Sequence, residues 1–285
     1  MSKGSLFWAN ASGKLGESVF YRSGGEQRNR TYVKNIKNPK TKSQMINRIQ
    51  MANLAAVFRN YRSVLDFSFT EKKSNQSSWN AFVAANKKVN GAVCPKLAIE
   101  EGGCVPVGMV MAQGSLVVPS PTIIESTETG SYYGFETNLS YGDSVDENAA
   151  YKALLDKLGL PSNTKMAVLK ARYNDEYYKS GWYVYQADSG IVASNNGGVG
   201  FIIEQSVNGK TLISLNVMDE ETEVAVIFSY TDANGKTIVS NAAMHPASED
   251  AVSEYAEQFL GPNGDVYQQV LDTYGYNNSS VLATR

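Results

Sequence analysis

The hydrophobic positions change period several times along the chain. In residues 17–34, "ESVFYRSGGEQRNRTYVK", Val19, Tyr21 and then Tyr32 alternate with polar neighbours, and "SGGE" supplies turn residues, which predicts a β-hairpin. Asn38-Pro39 ends that pattern, because proline disfavours helix at the residue before it. From Ser43 to Leu65, Ile46, Ile49, Ala52 and Ala56, together with Leu54, Phe58, Tyr61 and Leu65, recur every three or four positions. This predicts a helix packed on two sides, with Thr41 or Ser43 as its cap. A second helix is expected over 75–88, with Trp79, Phe82 and Val83 turned back on the first.

After Asn90-Gly91 the pattern becomes strand-like. Two short strands around Gln113-Gly114 are expected within 105–119, and another over 132–141. "GDSVDENAAYKALLDKLGLP" predicts a helix capped by Ser144, with Asp146 and Glu147 in its first turn and Gly159 and Pro161 at its end. Strands follow at 165–173, 181–186, 199–206 and 210–217, the last two joined through Val207-Asn208-Gly209-Lys210. "TEVAVIFSY" and "KTIVSNAA" form a further pair around Asp232-Ala233-Asn234-Gly235. A helix capped by Ser248, with Val252, Tyr255, Ala256 and Phe259 as its apolar stripe, and a shorter one near Val266, Val270 and Leu271 complete the reading. The predicted class is α+β: a basic hairpin arm and helical hairpin over 1–90, then an antiparallel, sandwich-like β-rich body with added helices over 91–285.

Charge sharpens this division. Residues 1–88 hold 16 Lys and Arg against 4 Asp and Glu, whereas 89–285 hold 10 against 24, so a net charge of −2 conceals balances of +12 and −14. Such asymmetry points to a polyanion contact for the basic part. The candidate contact residues are Arg22, Arg28, Arg30, Lys34, Lys37, Lys40 and Lys42, with Tyr21 and Tyr32 as stacking platforms. At 100° per residue, Arg48, Arg59 and Arg62 fall within about 60° of arc on one helix, and guanidinium forks match phosphate oxygens.

Catalytic chemistry is not indicated. His245 is the one histidine, and no serine stands in a G-x-S-x-G setting. "SNNGGVG" at 194–200 lacks the Gly-Lys-Ser/Thr of a phosphate loop. Cys94 and Cys104, ten positions apart, are expected as thiols in a reducing compartment. The acidic knot Asp219, Glu220, Glu221 and Glu223 lacks the spacing of a calcium loop. No enzyme function, metal or cofactor is expected, and no stretch is long enough to span a bilayer or to serve as a signal-peptide core.

The opening "SGKLGESVFYRSGGEQRNRTYVKNIKNPKTKSQMINR" resembles an uncharacterised family of Bacteroidota and gut phages. It is also similar to openings in microviruses, the small single-stranded-DNA phages. The likeness is carried by Ser12 to Gly16, Asn38 to Thr41, Gln44 and Arg48, with Gly235 and Ser240 matching the family's closing strand pair. Residues 90–165 and the tail from 246 lie outside it. The resemblance implies a phage context and a structural place in the particle, assembled in host cytoplasm. The leading expectation is therefore a virion-associated protein whose arm neutralises DNA phosphates without reading bases. In a second reading the arm docks on the acidic body of neighbouring subunits in a homo-oligomer, beside other virion proteins. In a third the tyrosine-rich body is a receptor- or glycan-binding adhesin.

Overall fold

The computed structural model describes residues 12–23, 26–34, 41–87, 92–126, 130–142, 145–173, 177–195, 201–217, 222–246, and 270, 273 and 274. The chain divides into two compact units, Met1–Thr41 and Lys42–Arg285.

The first unit is a small antiparallel sheet of β1 (Gly13–Leu15), β2 (Ser18–Ser23) and β3 (Glu26–Thr31), in that order. The expected hairpin is the β2–β3 pair, closed at Ser23 opposite Glu26. The third strand, β1, precedes the hairpin that side-chain alternation predicts, and it falls in the Ser12–Gly16 segment, where the family resemblance implies a hairpin. Leu15 pairs with Ser18 across a two-residue turn in which Gly16 has a φ of 59°, a conformation glycine adopts without steric penalty.

In the second unit come α1 (Lys42–Asn60), α2 (Arg62–Ser68), α3 (Ser78–Asn86), α4 (Lys96–Glu100), β4 (Val110–Ala112), β5 (Thr122–Ser126), β6 (Gly130–Ser140) and α5 (Glu147–Leu158). β7 (Lys165–Tyr173), β8 (Tyr178–Gln186), β9 (Gly190–Ser194), β10 (Ile202–Gln205) and β11 (Lys210–Val217) follow. The described strands end with β12 (Thr222–Thr231), β13 (Thr237–Val239), β14 (Ala242–Ala243) and β15 (His245–Pro246).

Two sheets organise this unit. One runs β13-β12-β7-β8-β9, with β15 also on β12; the other runs β10-β11-β6-β5. Strands β7 and β12 are buried on both faces, so their sequences, "KMAVLKARY" and "TEVAVIFSYT", read as near-continuous apolar runs. Alternation then sorts their side chains. Met166, Val168, Val224, Val226 and Phe228 face a core shared with Tyr133 and Phe135 of β6, Ile213 and Leu215 of β11, and the buried stripe of α5. Phe135 and Phe228 meet edge-on at 5.7 Å, a direct contact between the sheets, and Tyr151 of α5 meets Tyr185 of β8 at 5.0 Å. Ala167, Leu169, Ala171, Ala225 and Ile227 face the opposite way, into a core with Leu54, Val57, Tyr61, Leu65 and Phe82. The layers are therefore helices, a large sheet, and a smaller sheet with α5, which is the expected α+β class with a β-rich body.

The division of the chain at Thr41–Lys42 departs from the boundary expected near residue 90. The reason is packing: α1–α3 form one layer of the second unit and share its core with β7 and β12. The second helix does turn back on the first, with Phe58 5.3 Å from Trp79 and 5.6 Å from Phe82. Two-sided burial of α1 also holds. Leu54 and Val57 enter the large core, while Ile49 packs with Val93 and Val270.

Other differences follow from long-range pairing. Of the two short strands expected around Gln113-Gly114, one forms as β4 and pairs with β14, and a side chain at Gly114 would collide with the Val239 carbonyl. β10 and β11 join β6 in the smaller sheet, so the strands after β9 do not continue one meander. Helix α5 is capped by Asp146, whose carboxylate accepts from the Ala149 N–H at 2.7 Å; Ser144, the expected cap, lies outside the described residues. Gly159 ends α5 in the left-handed conformation, as expected. Asp146→Ala should lower stability by about 1 kcal/mol in urea denaturation, and Asp146→Asn by less, since the amide oxygen still accepts the bond. The tail helix expected from Ser248 lies outside the described residues.

Candidate nucleic-acid interface

The pleat of the N-terminal sheet decides where its cations go. Val19 is opposite both Lys14 and Arg30, and Tyr21 is opposite Arg28. Because directly paired residues share a face and the period is two, Lys14, Tyr21, Arg28 and Arg30 lie on one face. Tyr32, one residue beyond β3, comes to the same side: the Lys14 Nζ sits 3.8 Å from its ring centroid, a cation–π contact. The Tyr32 N–H donates to the Glu17 carbonyl at 2.6 Å and holds that position. Glu26 adds one carboxylate, 3.7 Å from the Arg28 guanidinium. The result is three cations interleaved with two tyrosine rings, of which Tyr32 is exposed and Tyr21 half-buried.

Arg22 is not part of this face. It pairs with Gln27, one residue out of phase with Arg28, and so lies on the opposite face. Lys34 is exposed after β3. Lys37 and Lys40 lie outside the described residues, and Lys42 opens α1, its side chain likewise outside them. Lys14 completes the cluster and was not anticipated. A signal for it exists in "SGKLGES", where glycines bracket the lysine at a spacing that suits a short strand and tight turn.

The three-arginine helix face does not form as expected. Tyr61, at φ −106° and ψ 16°, interrupts the helix, so Arg62 belongs to α2. The Tyr61 hydroxyl donates to the Lys170 carbonyl at 2.8 Å, which ties the break to β7. Arg62 pairs with Asp66 at 3.3 Å, and Arg59 donates to the Ile99 carbonyl at 3.2 Å. Arg48 reaches the Met45 sulfur at 3.9 Å. Arg59 and Arg62 thus have partners within their own unit, which distinguishes them from a row of guanidiniums held ready for phosphate.

Comparison with family models, with curated proteins and with solved structures finds no match. The chemistry of the described residues must therefore speak for itself. Cys94 and Cys104 are free and buried, and burial pushes both thiols up to about 12, far from a reactive thiolate. His245 pairs with Val224 at the edge of the larger sheet. Of the acidic knot at 219–223, the described member, Glu223, turns inward and is 3% exposed. Among the described residues no helix is long and apolar enough to cross a membrane.

Proposed function

We propose that this chain is a virion-associated structural protein that holds packaged nucleic acid through its N-terminal sheet, without reading sequence. The observation that supports the contact is the sorting of Lys14, Arg28 and Arg30 onto the face that also carries Tyr21 and Tyr32. Cations at strand spacing meet successive phosphates, and exposed rings stack on unpaired bases of any identity. The first unit holds eight Lys and Arg against two Asp and Glu, a balance of +6, so it attracts a polyanion as a whole. The particle context rests on the resemblance of the opening segment to phage proteins.

The test is a salt series on the full chain with single-stranded DNA. If about seven phosphates are neutralised, log affinity falls with log salt at a slope near −5. Replacing Lys14, Arg28 and Arg30 together by alanine should flatten that slope by about 2. Tyr32→Ala should weaken single-strand binding by ~1–3 kcal/mol and leave duplex binding nearly unchanged. A salt-independent affinity overturns the reading.

The opposite charges of the two units favour a second arrangement. The second unit carries 18 basic and 26 acidic residues, a balance of −8 against +6. An N-terminal sheet docking on the acidic unit of a neighbouring copy would build a closed ring or shell. In that case the alanine triple variant changes the mass in sedimentation and leaves DNA retention unaltered.

A further inference from the structure

We infer that a groove in the second unit, between α2 and the helix-side face of the larger sheet, binds an acidic saccharide: a polyhydroxylated ring carrying a carboxylate. The groove encloses about 650 Å³, within the roughly 300–1,000 Å³ of small-ligand sites.

Its floor is built from two adjacent cross-strand rows. Ser229, Lys165 and Gln186 stand opposite one another on β12, β7 and β8, and the next row on the same face is Ile227, Ala167 and Val184. With strands about 4.8 Å apart, hydroxyl, ammonium and amide groups are spread across ~10 Å beside an apolar strip of equal length. A pyranose presents the same contrast, a girdle of hydroxyls around a face of C–H bonds.

The polar groups are available. The side chains of Ser63, Gln186, Ser229, Thr231 and Thr237 line the groove and make no hydrogen bond among the described residues. Phe67 of α2, on the groove wall, is 71% exposed, a large apolar surface left in water unless something covers it. Among the described residues of the lining Lys165 is the one that is charged, and no carboxylate stands beside it there. This selects a ligand with one negative charge. The floor belongs to central strands, which hold these groups in fixed register.

A second cavity, of about 450 Å³ beside Glu136, lacks these properties. There Lys157 already donates to the Glu136 carbonyl at 2.6 Å, and Asn208 to the Glu136 carboxylate at 3.1 Å.

The test is calorimetric titration of the full chain with sialyllactose and with lactose as its neutral counterpart. The acidic sugar should bind about tenfold or more tightly than the neutral one, the worth of a charge-assisted hydrogen bond. Lys165→Gln should erase that preference, and Phe67→Ala should abolish binding of both. Each variant alters an exposed side chain, and unchanged thermal melts will show that the fold is kept. Replacing Arg28 and Arg30 should have no effect, which separates this site from the nucleic-acid face. Three outcomes would overturn the inference: no heat from either sugar at millimolar concentration, binding that survives Phe67→Ala, or a concentration-dependent dimer that Phe67→Ala abolishes. The last would make the occupant a second copy of the chain.

Discussion

Replacing Glu223 by glutamine should stabilise the protein, and the gain should grow with pH. Glu223 lies on the helix side of β12, between Pro246 of β15 and Ala171 of β7, and is almost fully buried. Burial pushes its carboxyl up from 4.5 to about 8, although a hydrogen bond with Tyr178 opposes the shift, and its Oε2 makes no hydrogen bond among the described residues. The folded state thus holds a proton that the unfolded chain releases near its ordinary value. Stability is fully present below about pH 4.5 and falls by roughly 1.4 kcal/mol per pH unit until about pH 8, where the folded protein ionises too. A neutral glutamine of the same shape removes this slope. Urea denaturation at about pH 5 and about pH 9 should show little difference at the acid end and a gain of up to ~4–5 kcal/mol for the variant at the alkaline end. An unchanged pH slope in the variant would mean that Glu223 is ionised and compensated in the folded state.

Replacing Asn53 by alanine should have the largest opposite effect. The Asn53 side chain is fully buried in α1 and acts as a short piece of strand. Its carbonyl accepts from the Val105 N–H at 2.9 Å, and its amide donates to the Val105 carbonyl at 2.9 Å and to the Ala92 carbonyl at 3.3 Å. Alanine removes both bonds to the buried backbone N–H and carbonyl of Val105, at about 1–3 kcal/mol for each well-formed bond lost. The expected loss is ~3–5 kcal/mol in urea denaturation. Asn53→Asp keeps the acceptor but removes both donations and introduces a buried charge, so it should be no milder. Asn86 of α3 does the same for Val110, accepting its N–H at 2.7 Å and donating to its carbonyl at 2.9 Å. The two asparagines hold both ends of the segment that leads into β4. Neither their identity nor their spacing marks them, because their partners lie 52 and 24 residues away.

Much of the local structure was legible in the residues themselves. The 3.6-residue period located α1 and α3, and the αL glycine, Gly159, located the end of α5. The continuous apolar runs of "KMAVLKARY" and "TEVAVIFSYT" located β7 and β12. The split in charge singled out the opening segment, of which the first 41 residues form their own unit. All of these are signals of short range, set by backbone conformation, side-chain period and composition.

What stayed hidden depended on partners distant in sequence. The pairing of β4 with β14, the helices lying on the large sheet, and the break at Tyr61 tied to Lys170 each join residues that no local pattern relates. For the proposed nucleic-acid face the residue types alone named Tyr21, Arg28, Arg30 and Tyr32. Register brought in Lys14 and sent Arg22 to the other side, because in a sheet a shift of one residue reverses the face. Periodicity, caps and composition along the chain were enough to locate the long helices, the long strands and the uneven spread of charge. Which side chains share a surface emerged with the folded arrangement alone, because burial and strand register are properties of pairs far apart along the chain.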